Sequence, residues 1–169
     1  MRPIVGFPIA YFITTVTKDR RPLLCDIWLV QRLATMIQMA CAMKEFVLLA
    51  YAILPDHVHL LVVDQRILER MRWEDGGLDS SVPTNHTEGD LSRSPDVGDL
   101  MRSIKGTFSR VQQQGHVWQR RYYLRHVGAD DLERVVRYIR FNSRKHNLPE
   151  CFEHEPYCWI DESILERML

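Results

Sequence analysis

The stretch from Glu45 to Val63, EFVLLAYAI followed by LPD and HVHLLVV, limits the possible folds more than any other part of the chain. Two apolar runs of strand length stand either side of a gap far too short for a crossover helix. Pro55 presets φ for a turn and has no N–H to give to a ladder, so the runs fold back as an antiparallel hairpin. Both read as buried strands, yet the second begins with two titratable rings, His57 and His59. Side chains alternate along a strand, so both imidazoles point to one face while Val58 and Leu60 point to the other.

The flanking patterns supply the rest of a sheet. IAYFITTVT (9–17) is β-branched and aromatic and runs into the polar turn KDRRP, which predicts a first strand. From Asp26, a candidate N-cap, apolar residues at 27, 30, 33, 34, 37 and 41 predict a helix over 27–43. Helical spacing resumes over 99–114 at Leu100, Ile104, Phe108 and Val111, followed by an extended segment over 117–127. The residues 129–147 carry acids in the first turn, bases in the last and a stripe of Leu132, Val135, Val136 and Ile139, the clearest helix of the chain. The order strand, helix, strand, strand, helix, strand matches an α+β, ferredoxin-like β-α-β-β-α-β antiparallel sheet, with an additional C-terminal helix.

At 169 residues and 46% hydrophobic composition, one well-buried core is expected. The domain is expected to span 1–148, with a flexible insertion at 72–97, rich in Gly, Ser, Pro and Asp, and an acidic tail over 149–169. Four cysteines are too few for a disulfide scaffold, and Cys151, His154 and Cys158 make only a partial zinc set. The chain shows neither a signal pattern nor an 18-residue apolar run, so a cytoplasmic location without a membrane partner is expected.

The zero net charge conceals a strong asymmetry. Residues 100–146 hold 11 Lys and Arg against 3 Asp and Glu, while 147–169 hold 1 against 6. The basic block offers Arg102, Lys105, Arg110, Arg120, Arg121, Arg125, Arg137, Arg140, Arg144 and Lys145 for phosphate contacts. Trp118, Tyr122 and Tyr123 lie among them as stacking surfaces. Alternation sends Tyr122 and Tyr123 to opposite faces, so at least one of them belongs to the core. A solvated helix surface explains the charges equally well.

Two neighbouring imidazoles can share one metal ion, or form an ordinary hydrogen-bonded pair at a strand end. On the last helix, with Tyr138 set at 0°, the apolar stripe centres near about 110° and Asn142 falls at about 40°. Tyr138 therefore occupies the seam between buried and basic surface, with Asn142 one turn along. An amide oxygen from Asn142 completes a His57, His59, Asn142 set suited to Mg²⁺ or Mn²⁺. Tyr138 also fits an amphipathic boundary residue whose hydroxyl meets water.

Taken in order, YAILPDHVHLLV, LMRSIKGTFSR, VWQRRYYLRHV and ADDLERVVRYIRFN resemble the HUH-type single-tyrosine transposases, especially the REP-associated tyrosine transposases of bacteria, over residues 10–148. The resemblance places the paired histidines on His57 and His59, the catalytic tyrosine on Tyr138 and the amide metal ligand on Asn142. It implies metal-dependent nicking and transfer of single-stranded DNA through a 5′-phosphotyrosine, next to a hairpin such as a transposon end or REP element. It also implies a bacterial, nucleoid-associated setting and either a monomer or a homodimer. Asn142-Ser143 stands where the family has Asn-Pro. The alternatives are a regulator that binds nucleic acid without catalysis, or a metal-dependent phosphodiesterase that uses water.

Overall fold

The computed structural model describes residues 9–69, 96–113 and 116–169. The expected insertion at 72–97 lies almost wholly outside the described residues, its last two positions forming the start of a helix. Five strands form one antiparallel sheet: β1 (Ala10–Val16), β2 (Phe46–Leu54), β3 (His57–Asp64), β4 (Tyr123–Val127) and β5 (Cys158–Ile160). Their spatial order is β4-β1-β3-β2-β5. The first four strands have the ferredoxin-like arrangement expected from the element order. β2 and β3 turn through Pro55 and Asp56, with Leu54 opposite His57.

One face of the sheet is covered by α1 (Ile27–Met43) and α2 (Val97–Gln112), the other by α3 (Ala129–Arg140) and α5 (Glu162–Met168). β3, with helices over both faces, is buried along its whole length, which explains its nearly unbroken apolar run. Val58, Leu60 and Val62 enter the core under α1 and α2, while Leu61 and Val63 enter the core under α3. By alternation the two histidines share the α3 face. α1 starts where its cap predicts, because the Asp26 carboxylate accepts from the Leu29 N–H at 2.9 Å. α2 starts at Val97, two residues before the expected boundary, since Asp96 caps it by accepting from Gly98 N at 2.7 Å.

Three expectations need correction. Only Tyr123–Val127 of the extended 117–127 segment pairs as a strand, because Trp118 makes an isolated bridge to Thr17 and the chain bends at Arg120. The last helix is interrupted at Phe141 (φ −105°, ψ 13°) and resumes as the single turn α4 (Asn142–Lys145). The acidic residues 149–169 are no detached tail: β5 pairs with the edge of β2, and α5 packs Leu165 and Met168 into the core under α3. Two of its acids, Glu162 and Glu153, take up Arg140 and Arg144 of the basic helices it covers.

Candidate functional site

The site forms where β3 passes beneath α3 and α4. His59 lies across from Thr14 of β1 on one side and Ala52 of β2 on the other. The small Ala52 leaves room beside the ring. Thr14 Oγ1 and His59 Nδ1 are 2.8 Å apart, and Phe12 stacks on the same imidazole with centroids 5.3 Å apart. His57 donates from Nδ1 to the Asp56 carboxylate at 2.5 Å, because a carboxylate can only accept. Its Nε2 is thereby fixed as a lone pair. Arg20 completes the outer layer with an ion pair to Asp56 at 3.1 Å.

The electrostatics keep both rings neutral. Burial pushes the His59 imidazole down to about 3, and the nearby His57, His146 and Lys145 push in the same direction. Burial also lowers His57, outweighing the hydrogen bond and charge of Asp56. Burial would raise the Asp56 carboxyl, but bonding to His57 and Arg20 holds it below the ordinary range. Two neutral imidazoles are ready ligands without proton release.

Tyr138 comes to the same place from above. Its ring meets His59 edge-on at 5.3 Å and Phe12 at 5.9 Å, and it is 37% exposed, half inside and half facing solvent. One turn along, Asn142 is 1% exposed, and neither its Oδ1 nor its Nδ2 has a hydrogen-bond partner. His59 Nε2 is likewise buried and unpartnered. Buried polar atoms left unpaired are costly, and the two acceptors among these, His59 Nε2 and Asn142 Oδ1, have the chemistry to take a cation supplied from outside. Among the described residues, no group of three or more His, Cys, Asp or Glu is set to hold a metal. The candidate set expected from the sequence, two imidazole nitrogens and one amide oxygen, is of a different kind. The partial Cys151, His154, Cys158 set stays apart from it, with all four cysteines free.

The basic candidates divide sharply. Lys145 places Nζ 5.3 Å over the Tyr138 ring, at the site itself. Arg137 lies on α3 without a partner among the described residues, while Arg140 pairs with Glu162 and Arg144 forks onto Glu153 at 2.9 and 2.5 Å. Arg125 pairs with Asp131 at 2.6 Å. Arg120 and Arg121 are exposed ahead of β4. Arg102, Lys105 and Arg110 sit on α2, across the sheet from Tyr138: Arg102 is held by Asp99, Lys105 donates to the carbonyls of Gln119 and Arg120, and Arg110 donates to Gly106 O at 3.3 Å. Trp118 is 7% exposed and packs on Phe108, so it is a core residue and no stacking surface.

Sequence reasoning missed the partners of the histidines. Asp56 was visible as the residue before His57. Thr14 became apparent only with the β1–β3 register, and His146, 5.5 Å from the His57 ring, only with the break at Phe141 that redirects the chain after it.

Comparison with known proteins agrees with this architecture. Residues 7–69, which contain the hairpin and both histidines, match the family described as Transposase IS200 like. The structure of a REP-associated tyrosine transposase bound to a REP hairpin superposes with a TM-score of 0.61 at 22% identity, covering 94% of this chain and 80% of that one. A candidate transposase from Deinococcus radiodurans R1 matches at a TM-score of 0.47 and 17% identity, over 82% of this chain and 94% of that one. No curated protein matches the sequence. The fold is shared with that REP-associated tyrosine transposase structure. Within it, the segment that carries the two histidines is the part similar to the IS200-like transposases.

Proposed function

We propose that this protein nicks and transfers single-stranded DNA beside a hairpin, with Tyr138 as nucleophile. The observation that carries the reading is the convergence of Tyr138 on His59, with the buried, unpartnered Asn142 one turn away. The hairpin is included because the structurally similar transposase was solved with one.

His57, His59 and Asn142 would hold Mg²⁺ or Mn²⁺, which when bound supplies a Lewis acid to the scissile phosphate. The chain's own residues supply the rest. Tyr138 Oη attacks phosphorus, the bond to the 3′ oxygen breaks, the phenolic proton leaves, and the 3′ oxygen takes up a proton as a free hydroxyl. The 5′-phosphotyrosine keeps the energy of the broken bond for rejoining. Phe12 and His59 fix the phenol's ring plane, and its half-exposed position leaves the oxygen open to a strand arriving from solvent. Lys145, over that ring, stands where phosphate charge arrives. Asp56 and Thr14 hold the imidazoles in orientation.

Labelled hairpin-bearing single-stranded DNA with Mn²⁺ should yield a protein–DNA adduct that survives denaturant. A regulator would bind without an adduct, and a phosphodiesterase would cut without one. Tyr138→Phe should abolish the adduct and leave affinity within a few fold, because only the attacking oxygen is lost. Adduct at normal yield from Tyr138→Phe would assign the chemistry to another residue. His57→Ala should lose metal-dependent cleavage, and undiminished cutting by that variant would remove the ligand assignment.

A further inference from the structure

Among the described residues β4 is an edge strand paired with β1 alone, and alternation assigns its side chains. Tyr122 and Leu124 pack toward the core under α1 and α2, and Trp118 does the same, whereas Val127 enters the core under α3. Tyr123 and Arg125 therefore point to the face that carries the histidines. Tyr123 lies directly opposite Thr14, which in turn lies opposite His59, so the three form one row across the sheet. At the usual strand spacing the tyrosine stands roughly 10 Å from His59. It is 61% exposed, and no ring contact to it is present among the described residues.

From this row we infer that Tyr123 is the stacking platform for an unpaired base of the strand whose phosphate lies at Tyr138, an assignment that rests on the proposed function. An exposed aromatic on a strand edge has a π face any base can use, and sequence-independent stacking of this kind is common on single-strand-binding sheets. Charge complements the ring. Arg121, two residues before it, is exposed and free to meet a backbone phosphate beside the stacked base, while Arg125, two residues after it, is held by Asp131. The other aromatics of this segment are turned to the core and cannot serve. A duplex keeps its bases stacked on one another, so the platform selects unpaired over paired DNA.

The test uses the full chain carrying Tyr138→Phe, which stops the reaction, and a short hairpin with a single-stranded flank in which 2-aminopurine replaces one flanking base at a time. One flank position should show fluorescence quenching on binding. Adding Tyr123→Ala should abolish that quenching and weaken binding about ten-fold, whereas Tyr123→Phe and Tyr123→Trp should retain both. Affinity for a blunt duplex should not change in any of them, and unchanged thermal unfolding midpoints confirm intact folds. Flank binding by Tyr123→Ala within two-fold of the parent, with the quenching preserved, overturns the inference while leaving the proposed function standing. Failure of the parent to bind the single-stranded flank at all overturns both, and an adduct from the Tyr138 protein with no Tyr123 effect separates the two.

Discussion

His59 is surrounded so that a positive charge on it is expensive, and this has a consequence in the metal-free protein. Its folded pKa of about 3 lies below the value near 6.5 of an unfolded histidine, so the unfolded chain binds the proton more readily between those limits. The associated stability is complete above about pH 6.5 and is lost as pH falls toward 3, by about 1.4 kcal/mol per pH unit. His57, also lowered, acts in the same direction. Urea unfolding of metal-free protein at pH 6.5 and 5 should show a loss of about 2 kcal/mol, most of it absent in His59→Gln. A level profile would mean that the ring finds charge stabilisation the burial does not indicate. Asp56 gives a second test at this scale, because it fixes the tautomer of His57 through a bond to Nδ1. Asp56→Asn should weaken Mn²⁺ binding 10- to 100-fold by calorimetry with the fold retained. The ligand candidates were legible in the sequence because periodicities of 2 and 3.6 put them on defined faces. Thr14 was not, since only the pairing register reveals which residue of β1 faces His59.

At the scale of elements, what could be read was whatever a local rule enforces. The β2–β3 hairpin followed from Pro55, and α1 from an apolar stripe headed by a capping carboxylate. Replacing that cap by Asp26→Ala should cost about 1 kcal/mol in urea denaturation, since Leu29 N–H loses its acceptor. A variant as stable as the parent would mean that tertiary contacts alone set the helix start. β5 escaped notice because three residues carry no measurable periodicity, and its strand character comes from the open edge of β2. Trp159 there stacks on Tyr51 with centroids 6.0 Å apart, a contact with no local signature. The break at Phe141 is equally nonlocal in effect: the chain pauses there and resumes as a turn that keeps Asn142 buried and brings His146 to His57. Residues 149–169 read from composition only as an acidic tail, whereas two of their glutamates, Glu162 and Glu153, are partners for α3 and α4.

For the molecule as a whole, the basic block decides how DNA binding should depend on salt. Ten cations were candidates for phosphate contact, and if each displaced a counterion from a single strand the slope of log K against log salt would be about −7. The fold reduces that number. Arg102, Lys105 and Arg110 lie on α2, across the sheet from Tyr138, and are already engaged. Arg125, Arg140 and Arg144 face carboxylates. Exposed pairs of this kind are weak and can exchange partners, but a carboxylate that gives up its arginine to a phosphate recruits a counterion in turn, so the net release is small. Arg120, Arg121, Arg137 and Lys145 remain, and they predict a slope of about −3. Fluorescence anisotropy of a labelled single-stranded oligonucleotide between 50 and 300 mM salt, roughly the range over which such slopes are read, measures it directly. A slope near −7 would show that the ion pairs with the C-terminal segment open on binding and that the strand reaches the α2 side. A slope near −3 that steepens in Glu153→Gln would show that the acidic segment sets how much of the basic surface the DNA can use.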